Sequence, residues 1–160
     1  MPELSILPAL HEAIKNVLER MFFIEALVDF DPDVLDTEPG VEARLAFEGA
    51  PAGWFALRLT TVAARSISAD FLGIDESEVS EQQLKAVVCE LANMICGSML
   101  SQVESTVTFR LGPPRIIPAE ERVERSAYTT VHSVRIASGV LTAVLTLEGS
   151  TCSAAEKSAY

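Results

Sequence analysis

The stretch "CELANMICG", Cys89–Gly97, lies inside the clearest helical pattern of the chain, and its reading decides the fold. Nine residues upstream, Ser80 and Gln83 fit an S-x-x-Q capping box, and apolar residues then recur at Leu84, Val87, Val88, Leu91, Ile95 and Val103. With about 100° of turn per residue, Leu84, Val87, Val88, Leu91, Ile95 and Ser98 gather on one side. That side is predicted to face a sheet. Glu90, Asn93 and Gly97 fall on the other side, together with Ala86 and Glu104. Asn costs a helix roughly 0.5–0.7 kcal/mol relative to Ala, and Gly about 1 kcal/mol. Both sit where packing gives nothing back, so something other than helix stability selects them. Glu90 and Asn93, three residues apart, are neighbours on the helix surface.

Outward from this helix the pattern is mixed. Residues from Leu4 to about Phe23 carry Leu7, Leu10, Ile14, Val17, Leu18, Met21 and Phe22 at helical spacing, which predicts a first amphipathic helix. "ALVDFDPDVLDTEPG" reads as a short extended segment running into a turn at Pro39-Gly40. "VEARLAFE" and "GWFALRLT" alternate in polarity across "GAPA" and predict a hairpin. A second helix is expected over Thr61 to Phe71, ending at Gly73. After the third helix come strand patterns: "TVTFRLG", an ambiguous "PPRIIPAEERVER", and "YTTVHSVRIASGVLTAVLTLEG", two strands meeting near Ser138-Gly139.

These elements predict an α+β fold, a single two-layer domain with long helices on a mainly antiparallel sheet. The domain is expected over 1–149, with 150–160 a frayed tail. The groups on either side of residue 75 read as two structurally similar halves.

At 160 residues, 49% of them hydrophobic, the chain can bury one substantial core. Twelve basic against 23 acidic residues give a net charge of −11, which argues against nucleic acid and anionic membrane surfaces as partners. No secretory leader pattern and no run of 18 apolar residues is present, so a cytoplasmic protein is expected. Cys89, Cys96 and Cys152 do not make a disulfide framework or a zinc spacing, and the first two read as buried or half-buried thiols on one side of the helix.

Other constellations fall short. "DFDPDVLD" places Asp29, Asp31 and Asp33 like the start of a calcium loop, but Val34 stands where the turn glycine belongs and Gly40 where the bidentate glutamate belongs. His11 and His132 have no Cys or second His at ligand spacing, which speaks against a metal or triad role. Trp54 with Phe55 reads as core, and "EERVER" as a solvated segment. No phosphate-binding glycine loop occurs.

"ELANMICG", Glu90–Gly97, resembles the E-x-x-N-(M)-(I)-x-G signature of the CheC/CheX/FliY family of chemotaxis phosphatases, most closely the CheX type. "FRLGPPRIIP", Phe109–Pro118, is similar to the strand and turn that follow this helix in CheX-like proteins, and "VLERMFF", Val17–Phe23, resembles their opening helix. The resemblance spans about residues 5 to 149. It implies a phosphatase that hydrolyses the aspartyl phosphate of a CheY-type response regulator. Asn93 would orient the attacking water and Glu90 would pair with the regulator's lysine. Gly97 and Ala86 would let the partner approach the helix.

The resemblance also implies that no cofactor is bound by this chain, Mg²⁺ being expected on the partner response regulator. CheC-type members carry two such motifs. Here the chain has two asparagines, and Asn16 has Ala13 three residues before it, so one site per chain is expected. That is the CheX arrangement, and the resemblance to CheX implies a homodimer. Two rivals share the same surface: a non-catalytic module that sequesters a receiver domain, and a scaffold whose helix face is a plain dimer interface.

Overall fold

The computed structural model describes residues 2–26, 28–30, 39–103, 108–118, 121 and 129–148. Helix α1 spans Pro2–Asn16 and continues into a π-helical turn at Val17–Met21. Strand β1 (Val28–Phe30) precedes the hairpin of β2 (Gly40–Glu48) and β3 (Gly53–Thr60), joined by the "GAPA" turn read in the sequence. Helix α2 (Thr61–Leu72) ends at Gly73, which takes the left-handed cap at φ 70° and donates its N–H to the Ala69 carbonyl. Helix α3 (Glu81–Ser101) is followed by two short strands, β4 (Arg110–Leu111) and β5 (Arg115–Ile116), and by the hairpin of β6 (Thr129–Ile136) and β7 (Gly139–Leu147).

The sheet runs β1-β6-β7-β3-β2-β4, with β5 also on β2, and every pairing is antiparallel. Its centre is β3 against β7, Leu57 opposite Ala143. Each strand of that pair belongs to one hairpin, and the leading strand of each half crosses to the other half's hairpin, β1 onto β6 and β4 onto β2. This symmetry accords with two similar halves. At the centre the backbones come close: a Cβ on Gly139 would collide with Thr60 Oγ1, and that hydroxyl accepts the Val140 N–H at 3.2 Å.

Period-2 alternation sorts each strand. Ala43, Leu45 and Phe47 of β2, Phe55, Leu57 and Leu59 of β3, and Leu141, Ala143 and Leu145 of β7 are buried in one core with the helices. Each such Leu or Phe contributes about 1.5–3 kcal/mol relative to exposure. Trp54 points to the opposite face and is 45% exposed, so only Phe55 of the expected core pair is in the core. That second face also carries Glu42, ion-paired to Arg44 at 3.1 Å.

The stripe of α1 also differs from expectation at two positions. Leu10, Ile14, Val17, Leu18 and Phe22 are buried, but Leu7 is 46% and Met21 60% exposed. Leu7 falls at the edge of a stripe that runs instead through Ile6, Ala9 and Ala13. The π turn adds a residue to the last coil, which carries Met21 outward and brings Phe22 in against Phe71, ring centroids 5.3 Å apart. The tail at 150–160, Asp31, Asp33, Glu104 and most of "EERVER" lie outside the described residues; Glu121 pairs with Arg115 at 3.5 Å.

Candidate functional site on helix α3

The start of α3 is fixed twice. Ser80 Oγ accepts the Gln83 N–H at 3.1 Å while Gln83 Oε1 accepts the Ser80 N–H at 2.9 Å, closing the box read in the sequence. From α2, Arg65 donates to the carbonyls of Glu76 (3.2 Å) and Val79 (2.8 Å) and pairs with Glu81 at 3.5 Å. The helix is therefore held at its first turn by both its own cap and its neighbour.

Leu84, Val87, Val88, Leu91 and Ile95 are buried as expected. The buried arc is wider than one stripe, however, and takes in Ala92, Cys96, Met99 and Leu100. The reason is that α1 and α2 pack on α3 in addition to β2 and β3. By length and composition α3 could cross a membrane, but half of its most apolar window is buried in this fold, where it is the core helix.

What remains outside that arc is a strip that also carries exposed Lys85 and half-buried Cys89 and Met94. Glu90 and Ala86 are exposed, whereas Asn93 and Gly97 are half-buried. The four residues are thus on one side, but graded in depth rather than uniformly open. Among the described residues, neither the Glu90 carboxylate nor the Asn93 carboxamide has a side-chain partner. The strip offers an acceptor-only anion and, one turn along, a neutral group that can accept and donate at once. Among the described residues, a Cβ built on Gly97 would meet only Leu111 Cδ2, at 3.9 Å.

The thiols are placed as read. Cys96 is fully buried and its ionisation is pushed up to about 12 by desolvation. Cys89 is half-buried and raised for the same reason.

The histidines were not legible. His11 on α1 and His132 on β6 are 121 residues apart, yet His11 Nδ1 and His132 Nε2 stand 3.0 Å from each other with ring planes inclined at 74°. Spacing along the chain carries no signal for such a pair. Among the described residues no group of three or more His, Cys, Asp or Glu could hold a metal ion.

The family model "Chemotaxis phosphatase CheX" matches residues 41–137. Among solved structures, CheX of Borrelia burgdorferi, crystallised with CheY, BeF3 and Mg, superposes with a TM-score of 0.73 at 15% identity, covering 88% of this chain and 96% of that one. CheX of Vibrio vulnificus gives 0.71 at 17% identity, covering 89% and 95%. A chemotaxis protein CheX of Desulfovibrio desulfuricans gives 0.67 at 23% identity, covering 89% and 98%. These likenesses establish a shared fold. No curated protein sequence matches the chain.

Proposed function

The chain belongs to the CheX family of chemotaxis phosphatases, and from that membership we propose that it hydrolyses the aspartyl phosphate of a CheY-type response regulator in the cytoplasm. The observation that carries this reading is the Glu90–Asn93 pair, one turn apart on the side of α3 left outside its packed arc. The Borrelia relative's complex with CheY supports a receiver domain as partner.

An acyl phosphate is already reactive, so a catalyst gains most by holding a water in line with the bond to be broken. Water oxygen attacks phosphorus while the bond from phosphorus to the aspartyl oxygen breaks. The electron pair of that bond returns to the aspartate carboxylate, and both protons of the water remain on the released phosphate. In this reading the Asn93 carboxamide accepts a hydrogen bond from the water and donates another beside it, fixing its line of approach. Its half-buried position limits the rotamers to be frozen on docking. Exposed Glu90 pairs with the regulator's lysine and sets the register. Ala86 and Gly97 present little bulk on the same strip. Mg²⁺ sits on the regulator, not on this chain, and the protein acts as a homodimer with one site per chain.

The alternative, sequestration of the receiver without catalysis, uses the same surface. The two readings separate in one assay: decay of a phosphorylated receiver with catalytic amounts of this chain. Turnover faster than spontaneous decay supports hydrolysis; stoichiometric protection or no change, with association retained, supports sequestration.

A further inference from the structure

We propose that His11 and His132 form a two-imidazole site for a divalent first-row transition ion, with Zn²⁺ as the representative, that clamps α1 to β6. The facing atoms, His11 Nδ1 and His132 Nε2, are 3.0 Å apart. Two nitrogens bound at about 2.0–2.1 Å to one tetrahedral ion stand roughly 3.3–3.4 Å apart with the ion off the line between them, so conversion of the hydrogen-bonded pair into a chelate takes a parting of a few tenths of an ångström and a tilt of each ring by about 35° toward the ion. One nitrogen now donates and the other accepts, according to tautomer. With His11 as the donor, moving its proton from Nδ1 to Nε2 frees both facing lone pairs for the ion without changing the charge of either ring. The rings meet edge to face, with centroids 4.9 Å apart, and do not block that point by stacking.

The chemistry of the donors selects the ion. Neutral imidazole suits Zn²⁺, Ni²⁺ and Cu²⁺, whereas Mg²⁺ and Ca²⁺ require oxygen ligands. His11 is exposed, which gives the ion a way in and leaves its remaining positions to water. The net charge of −11 draws cations to the surface. Because the two ligands lie 121 residues apart in sequence, the chelate exists only in the folded chain, and bound ion stabilises the fold by mass action.

These are the only two histidines of the chain, so histidine-specific signals report this site alone. The test uses the untagged chain titrated with zinc chloride, followed by calorimetry, by melting temperature and by the imidazole resonances in NMR. We expect one ion per chain, a melting temperature that rises with zinc but not with magnesium, and both imidazoles shifting together. His11→Asn and His132→Asn should each weaken binding about tenfold or more. Since His11 is exposed, His11→Asn alone decides if His132→Asn does not fold. Absence of saturable binding, imidazole signals that do not move, or zinc affinity undiminished in His11→Asn would each overturn the site, the last placing the ion elsewhere on the chain.

Discussion

Gly97 of α3 lies against Leu111 of β4 with room to spare: a Cβ on Gly97 would sit 3.9 Å from Leu111 Cδ2, an ordinary van der Waals contact. The fold therefore does not require glycine at this position. Gly97→Ala is expected to stabilise the chain by up to about 1 kcal/mol through helix propensity, raising the melting temperature, while weakening docking of the receiver. Thermal melts paired with receiver affinity check this. A variant that is more stable and docks as well as wild type removes Gly97 from the partner surface.

The cap of α3 is set by two reciprocal hydrogen bonds between Ser80 and Gln83. Ser80→Ala removes the acceptor for the Gln83 N–H and is expected to cost about 1 kcal/mol in urea unfolding. Turnover should be little changed, because Glu90 lies almost three turns further along and Arg65 still holds the first turn.

Cys96 links stability to alkaline pH. Its ionisation in the fold is pushed up to about 12 from an ordinary 9.0, so between those values the unfolded chain loses a proton that the folded chain keeps. The stabilisation is complete below pH 9 and declines toward pH 12, by about 1.4 kcal/mol per unit. Urea unfolding of wild type and Cys96→Ala at pH 8 and pH 10.5 checks it: the variant should lose less stability over the interval. Equal losses would mean that the thiol ionises in the fold as readily as in the unfolded chain.

The parts of the fold legible in the sequence are those set by local physics. The cap and apolar stripe of α3, the left-handed Gly73 and the alternation of β2–β3 and β6–β7 each depend on residues a few positions apart. Glu90 and Asn93 were legible because three residues on a helix fix adjacency. What the sequence missed depends on what lies opposite. Trp54 alternates onto the face of the sheet away from the helices, and nothing in "GWFALRLT" tells which face will be covered. Cys96 and Leu100 are buried because α1 and α2 pack beside α3, and Asn93 and Gly97 are half-buried rather than open. Met21 is turned out by a π turn with no sequence signature, and His11 meets His132 only through the tertiary fold.

Glu90 should govern affinity and turnover together. Glu90→Ala is expected to weaken the receiver complex roughly tenfold and to become less distinguishable from wild type at high salt, as an ion pair at a docking rim requires. Titration of a labelled receiver at two ionic strengths checks this. Salt-insensitive binding equal to wild type would remove Glu90 from the docking contact.

The central claim is that the Asn93 carboxamide orients the attacking water. The most direct measurement is the rate of phosphate release from a phosphorylated cognate receiver by wild type and by Asn93→Ala, with binding of the receiver measured in parallel. The account predicts a loss on the order of 100-fold in turnover with binding nearly retained. An Asn93→Ala protein that releases phosphate as fast as wild type would contradict it.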